Sequence, residues 1–467
     1  MAVIETLPAR AVAEVRWNAR LWGVLAVLCA VLFLDGLDVS MVGVALPSIG
    51  SELGLSTTSL QWIVNGYVLG YGGLLLLGGR TADLLGRRRV FLIALGVFTV
   101  ASLVGGLVDD GGLLIATRFV KGLAAAFTAP TALSILTTTF PEGPARNRAL
   151  SIFTVFGASG YSSGLIIGGL LTSLGWRWNF LVPVPLALAA LAGGIYLIAK
   201  DRRAAEGGHD LGGAITLTAG TLLAVYAVVT APGRGWLDPL TVGTFVVAAA
   251  LLTGFVIIEN RVRHPLVRLG ILRSGQIVRA NLSMVALLGS YVSFQFMMTI
   301  YLQDVLHWAP LRMALALLPA GLIVAFGSPL VSKLIDRYGT ARLITIAMVS
   351  LSLGYLWMLI SAGARPHYLT VILPTMLLLG GGFGFGFSSI MAQATDGIRN
   401  DEQGLASGLV QSSGQIGAAL VLAVVTALVA TAGGSFTQFH PGVNLVTGVA
   451  VAGLLLNVIP LLARRRA

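Results

Sequence analysis

Long apolar runs recur from one end of the chain to the other, broken by short polar segments. Fourteen can be set at about 21–46, 57–79, 90–108, 111–136, 149–173, 178–199, 211–231, 239–258, 280–303, 312–332, 342–362, 368–391, 404–430 and 443–463. A helix rises about 1.5 Å per residue and a hydrocarbon core is roughly 30 Å thick, so each run is long enough to cross it. Only a helix satisfies its backbone within a single segment in lipid. The pattern therefore predicts an all-α integral membrane protein with fourteen spans.

Basic residues are unevenly spread among the intervening segments. Alternate loops hold Arg10, Arg16 and Arg20; Arg80 and Arg87 to Arg89; Arg146 and Arg148; Lys200, Arg202 and Arg203. The same series continues with Arg261, Arg263, Arg268, Arg273 and Arg279; Lys333, Arg337 and Arg342; Arg399; and Arg464 to Arg466. The opposite loops hold only Arg177, Arg234, Arg312 and Arg365. Positive loops stay cytoplasmic, so both termini are expected in the cytoplasm, which requires an even number of spans. Three segments read as linkers: 200–210, a tight turn at 232–239, and 259–276. The expected organisation is a cytoplasmic segment 1–20, a six-helix half 21–199, linkers with an inserted two-helix hairpin 200–279, a second six-helix half 280–463, and a basic tail 464–467.

Composition narrows the class. Of the 467 residues 56% are hydrophobic and 10% are charged, whereas a soluble domain carries about 25% charged residues. The 59 glycines suit closely packed membrane helices. The net charge of +11 lies in short loops and forms no extended basic face, which argues against a nucleic-acid partner. The single cysteine, Cys29, lies in an apolar run, so neither an intrachain disulfide nor a cysteine metal site is expected. The first run is too long for a signal-peptide core and reads as a retained span. His209, His264, His307, His367 and His440 are expected in loops and form no metal-spaced cluster. None of Lys121, Lys200 and Lys333 lies in a phosphate-binding loop. An enzyme is not expected, nor is a channel, because rings of charge and filter motifs are not evident.

Four ionisable residues stand well inside apolar runs: Asp35 and Asp38 in the first, Arg118 and Lys121 in the fourth. A charge at that depth costs about 2.5–3.5 kcal/mol on insertion scales and is a functional candidate by default. Each pair is spaced i, i+3 and so shares one helix face. Two acids facing two bases could relay protons or balance a substrate's charge; a static cluster that fixes packing is the alternative. Lys121 is expected to act as the partner of Asp35. The second half has no charge deep in a span. Its polar candidates are Gln295, Gln303, Gln393, Gln411 and Gln415, with Tyr291 and Tyr301; Gln61 and Asn65 in the second run are further cavity candidates. Such residues also serve as ordinary interhelical hydrogen bonders. The glycine-rich run 379–387 reads as close helix packing, with a hinge as the alternative.

Between the second and third runs stand Gly79, Asp83, Gly86, Arg87 and Arg88, in the order Gly-x-x-x-Asp-x-x-Gly-Arg-Arg. This resembles the signature cytoplasmic loop of the major facilitator superfamily. A weaker echo with Asp336, Arg337 and Gly339 follows the tenth run, where an internal repeat would put it. The segment 37–47, with Asp38 and Pro47, resembles the first-span motif of the fourteen-span drug/proton antiporters. Arg118 to Gly122 resembles their fourth-span motif, Trp176 to Phe180 the entry to their sixth, and Gly404 to Gly417 their thirteenth. Gly160, Gly164, Gly168 and Gly169 match the fifth-span motif, with Leu165 where the family has proline. Lys121 stands in place of the family's usual glutamine, Gly43 in place of asparagine, and Leu84 in place of a common arginine.

The resemblance covers essentially the whole chain. It implies the major facilitator fold in the plasma membrane and proton-coupled export of drug-like or amphiphilic small molecules by alternating access. An importer, or a dedicated metabolite exporter, of the same fold is the rival reading. By resemblance Asp38 responds to protons or cations with Arg118 as its partner in proton transfer, and Gly79, Asp83, Gly86, Arg87 and Arg88 form a gate that locks the outward-open state. The expected partners are a small-molecule substrate, protons and lipid, with no cofactor and a monomeric chain.

Overall fold

The computed structural model describes residues 17–141, 144–200, 210–263, 265, 269–363, 366–396, 398, 403–429 and 435–466. The helices of the first half are α1 (Ala19–Leu53), α2 (Thr57–Leu85), α3 (Arg87–Leu107), α4 (Gly111–Thr139), α5 (Pro144–Leu174) and α6 (Trp178–Leu197). A hairpin follows, α7 (Leu211–Arg234) and α8 (Pro239–Arg261). The second half holds α9 (Gly275–Val305), α10 (Pro310–Tyr338), α11 (Thr340–Ser361), α12 (Tyr368–Thr395), α13 (Gln403–Val429) and α14 (His440–Arg466). Each contains a stretch long and apolar enough to cross a membrane, and no strand occurs among the described residues.

Helix ends run past the apolar runs. α1 continues through Pro47 to Leu53 and stops where Gly54 turns left-handed at φ 64°. α2 continues from the apolar run to Leu85. The apolar pattern reports the part of a helix in hydrocarbon, whereas the helix itself ends at a cap. Likewise Pro232 lies within α7, so the turn before α8 is only 235–238, and His440 opens α14 rather than lying in a loop.

α1 packs on α5, α2 on α4, and α3 on α4 and α6; in the second half α9 packs on α13 and α14, α10 on α12, and α11 on α12 and α14. Two seams join the sets, α2 against α13 and α5 against α10, while α7 lies on α2 and α13 and α8 leans on α7. The glycine run of α12 stays helical. A Cβ at Gly380 would stand 2.6 Å from the Ala320 carbonyl oxygen, and one at Gly382 would stand 2.7 Å from Leu351 Cγ, so these glycines admit α10 and α11.

The apolar core is divided unequally. One cluster spans the second half and reaches Val42 to Ile49, Leu60, Ile63, Trp176 and Phe180 at the arginine-poor end of the first half. At the arginine-rich end the first half keeps its own cluster, around Leu28, Phe91, Leu136 and Phe140. The Gln303 amide donates to the Val44 carbonyl across the halves at 2.8 Å. Nearby, Arg177 pairs with Glu52 and Asp109, whose carboxylates hold its pKa above the usual arginine value, and the Trp176 indole donates to Glu52 at 2.8 Å. The molecule is thus pinned together at one end.

Candidate functional site

Glycines bring the charged helices together. Gly160, Gly164 and Gly168 form one stripe of α5 at i, i+4, i+8. A Cβ on Gly160 or Gly164 would run into the α1 backbone at Phe33 or Leu37, and one on Gly168 would stand 2.7 Å from Met41 Cα. Gly169 faces the other way, where a Cβ would be 2.8 Å from Leu311 Cα of α10. Between α2 and α4, Gly70 and Gly122 play the same part: a Cβ on Gly70 would lie 2.6 Å from the Phe119 carbonyl oxygen, and one on Gly122 would overlap Tyr67. The proline missing at Leu165 costs α5 no continuity, since it runs unbroken and close packing falls to the glycines.

With the helices so placed, Asp38 accepts from two bases at once, Arg118 through Nη1 and Lys121 through Nζ. Asp38 and Lys121 are fully buried and Arg118 is 2% exposed. The Arg118 Nε donates to the Ile63 carbonyl at 3.2 Å, and its guanidinium lies 4.7 Å from the centre of the Tyr67 ring. The Lys121 ammonium sits 4.7 Å from the Phe98 ring centre and 5.4 Å from that of Phe180, an arrangement that favours a desolvated cation. One carboxylate thereby connects α1, α2, α3, α4 and α6. Removing one member of a buried pair typically costs about 3–5 kcal/mol, because a charge is stranded.

The expected pairing of Lys121 with Asp35 is corrected. Lys121 bonds Asp38 instead, and Asp35, one turn earlier on α1, is half-buried with its Oδ2 lacking a hydrogen-bond partner. The i, i+3 spacing put both acids on one face, but only Asp38 comes within ion-pair distance of the two bases.

Gln61 and Asn65 are fully buried on α2, and neither amide has a hydrogen-bond partner. In the second half the Gln295 amide donates to Tyr161 at 3.0 Å and to Tyr291 at 3.1 Å, so it bridges α9 to α5. The Tyr291 ring lies 4.5 Å from that of Phe383, which stacks on Phe387 at 5.8 Å. Gln415 lies in the α2 seam, its Cβ 2.6 Å from where Gly72 would carry one, and Gln411 is half-buried one turn earlier. Tyr301 lies apart from these, fully buried between Phe436 and Phe439 with ring centres at 4.9 and 5.4 Å.

The two loop signatures share one geometry. Gly86 is the single residue between α2 and α3, at φ 96°, and Gly339 is the single residue between α10 and α11, at φ 79°. A side chain is strained at both. Gly79 lies against α4, with its Cβ position 3.8 Å from Pro130, and Arg88 donates to the Ile195 carbonyl at 2.7 Å. Arg87 is half-buried, while Asp336 and Arg337 are exposed. The side chain of Asp83 lies outside the described residues.

Sequence reasoning missed Tyr161, although it stands inside the fifth-span glycine motif. It also missed Tyr67, Phe98 and Phe180, whose roles beside the cations carry no signal in an apolar run.

The Major Facilitator Superfamily matches residues 28–422 of the chain. A puromycin resistance protein of Streptomyces alboniger is 37% identical over 429 residues, covering 90% of this chain and 84% of that protein. A cephamycin export protein of Amycolatopsis lactamdurans is 34% identical, covering 94% of this chain and 93% of that one. A tetracenomycin C resistance and export protein of Streptomyces glaucescens is 32% identical, covering 89% and 77%. Among solved structures, a peptide transporter superposes with TM-score 0.69 at 15% identity, covering 95% of this chain and 94% of that one. A nucleoside transporter superposes with TM-score 0.66 at 13% identity, covering 94% and 100%. With its fourteen spans, its repeated glycine turns and a match over most of its length, the chain belongs to the major facilitator superfamily and is a multi-pass membrane transporter.

Proposed function

We propose that this protein exports drug-like or amphiphilic small molecules across the plasma membrane in exchange for protons, with its arginine-rich loops in the cytoplasm. The observation that carries the reading is the sealed cluster of Asp38, Arg118 and Lys121, set in the half of a transporter whose relatives bear the names of antibiotic resistance and export proteins. Buried charge whose balance changes on protonation gives a proton a different affinity for two conformations, which coupling requires.

In this orientation the joined core and the Gln303 bridge close the outer end, and the separate cluster at the arginine-rich end belongs to an inward-facing conformer. Substrate enters from the cytoplasmic side and meets the Tyr161, Tyr291 and Gln295 cluster with Phe383 and Phe387 beside it. Such a lining of rings with a few polar anchors suits amphiphilic molecules. The Gly86 and Gly339 turns hold the paired helices that rock as units.

The test is flux in inside-out vesicles from a host lacking its own pumps, with puromycin as probe. An acid lumen should drive accumulation, a protonophore should abolish it, and expression in cells should raise puromycin tolerance. Accumulation indifferent to the proton gradient would remove the coupling, and accumulation only in right-side-out vesicles would make the protein an importer.

A further inference from the structure

The two acids of α1 differ in what surrounds them. Asp38 has no accessible surface and is held by two cationic donors, so a proton could reach it only after both bonds open and would leave Arg118 and Lys121 without their shared anion. Asp35 carries neither restraint. It is half-buried, with one carboxylate oxygen, Oδ2, enclosed but without a hydrogen-bond partner.

The face of α1 that carries Asp35 is also open. Val39, one turn on, is 38% exposed, and a Cβ built on Gly43, another turn on, would meet no atom within 4 Å. Residues 35, 39 and 43 follow one another at i, i+4, i+8 and so form a single stripe. α1 touches both α2 and α5, the helices that carry the two seams to the second half, and it touches α9 as well. This stripe of α1 is left uncovered where the helix runs beside α2, α5 and α9.

We infer that Asp35 is the group that exchanges protons with the cleft, while Asp38 stays ionised as the permanent counter-ion of Arg118 and Lys121. The inference rests on the proton-coupled reading and assigns its titrating atom. Charge balance explains why a second acid is needed: one carboxylate between two cations leaves the cluster with a net positive charge, which an ionised Asp35 cancels and a protonated Asp35 exposes. The groups around Asp35 fit this part. Asp38 lies one turn on along α1, Lys121 approaches from α4, and Tyr67 and Tyr71, stacked at 6.2 Å, from α2. The α5 backbone at Gly157 and Tyr161 lies against the next residue, Gly36.

The test is infrared difference spectroscopy of the full-length protein in liposomes, following the high-frequency carbonyl band of a carboxylic acid that lacks hydrogen bonds. The wild type should gain this band on acidification, Asp35→Asn should lose it, and Asp35→Glu should restore it. Because Asp38→Asn strands two bases, its companion is the double variant Asp38→Asn with Lys121→Gln, which keeps the local charge matched; that variant should retain the band. Loss of the band in the double variant, with retention in Asp35→Asn, would overturn the inference and hand the proton to Asp38. Proton coupling itself is read separately, from wild-type flux: movement of puromycin that ignores the gradient would defeat the underlying reading whichever acid owns the band.

Discussion

In the first half a single carboxylate gathers two cations and through them connects five of six helices; in the second half the interior is joined by amides, hydroxyls and rings. There Asn457 donates to Ser283 at 2.8 Å, Ser413 to Asn281 at 2.7 Å, and the Phe294 and Tyr355 rings meet at 5.1 Å. The same architecture is thus held by conditional bonds on one side and unconditional ones on the other. Charge pairs change strength when a proton is gained or lost beside them, as proposed at Asp35, whereas neutral hydrogen bonds and ring contacts do not. A transporter needs one part that responds to the driving ion and another that stays constant for it to move against. Under the proposed proton coupling, the difference in chemistry separates those duties between the halves.

The largest effect should come from breaking the conditional side. Asp38→Asn leaves two buried bases facing one neutral amide, at a cost of about 3–5 kcal/mol. The variant should melt well below wild type in detergent and lose gradient-driven export. Adding Lys121→Gln should recover part of the stability, because one stranded charge goes with it. Equal melting temperatures for Asp38→Asn and wild type would mean that the cluster does not hold the half together.

A second experiment asks whether the halves remain equivalent where the fold repeats. Gly86→Ala and Gly339→Ala each force a side chain into a backbone conformation that favours glycine, at about 1–3 kcal/mol. Since the two turns share position and sign of φ, the two losses in melting temperature should agree closely. A loss at Gly86 alone would mean that only the first turn is under conformational load, which would break the repeat as an energetic unit.

Much of this was legible in the chain. Apolar length gave the spans because hydrocarbon thickness is fixed, and arginine placement gave the two kinds of loop. Asp38, Arg118 and Lys121 were marked by the cost of burying charge. The pairing was not legible. Spacing puts Asp35 and Asp38 on one face, and only the docking of α1 onto α4 and α6 decides which of them meets the bases. The same limit applies to Tyr301, which reads as a polar group in a span and lies enclosed by Phe436 and Phe439. Gln295 read as one amide among several, and its bridge to Tyr161 depends on how α5 meets α9, which no local pattern encodes.

That bridge offers the mildest perturbation and the clearest contrast with Asp38. Gln295→Leu keeps the volume roughly constant and removes one amide from two tyrosine hydroxyls, a loss of about 0.5–1.5 kcal/mol per hydrogen bond. No charge is stranded, so the protein should fold and the proton gradient should still drive transport. What should change is the half-saturating concentration of puromycin, by several-fold, because the polar anchor in the ring-lined wall is gone. The affected quantity separates the two sides of the molecule: Asp38→Asn should abolish the response to the gradient, and Gln295→Leu should preserve that response while shifting affinity. Were Gln295→Leu to uncouple transport from protons, the hydroxyls of Tyr161 and Tyr291 would belong to the proton path, and the division between a conditional half and a constant half would fail.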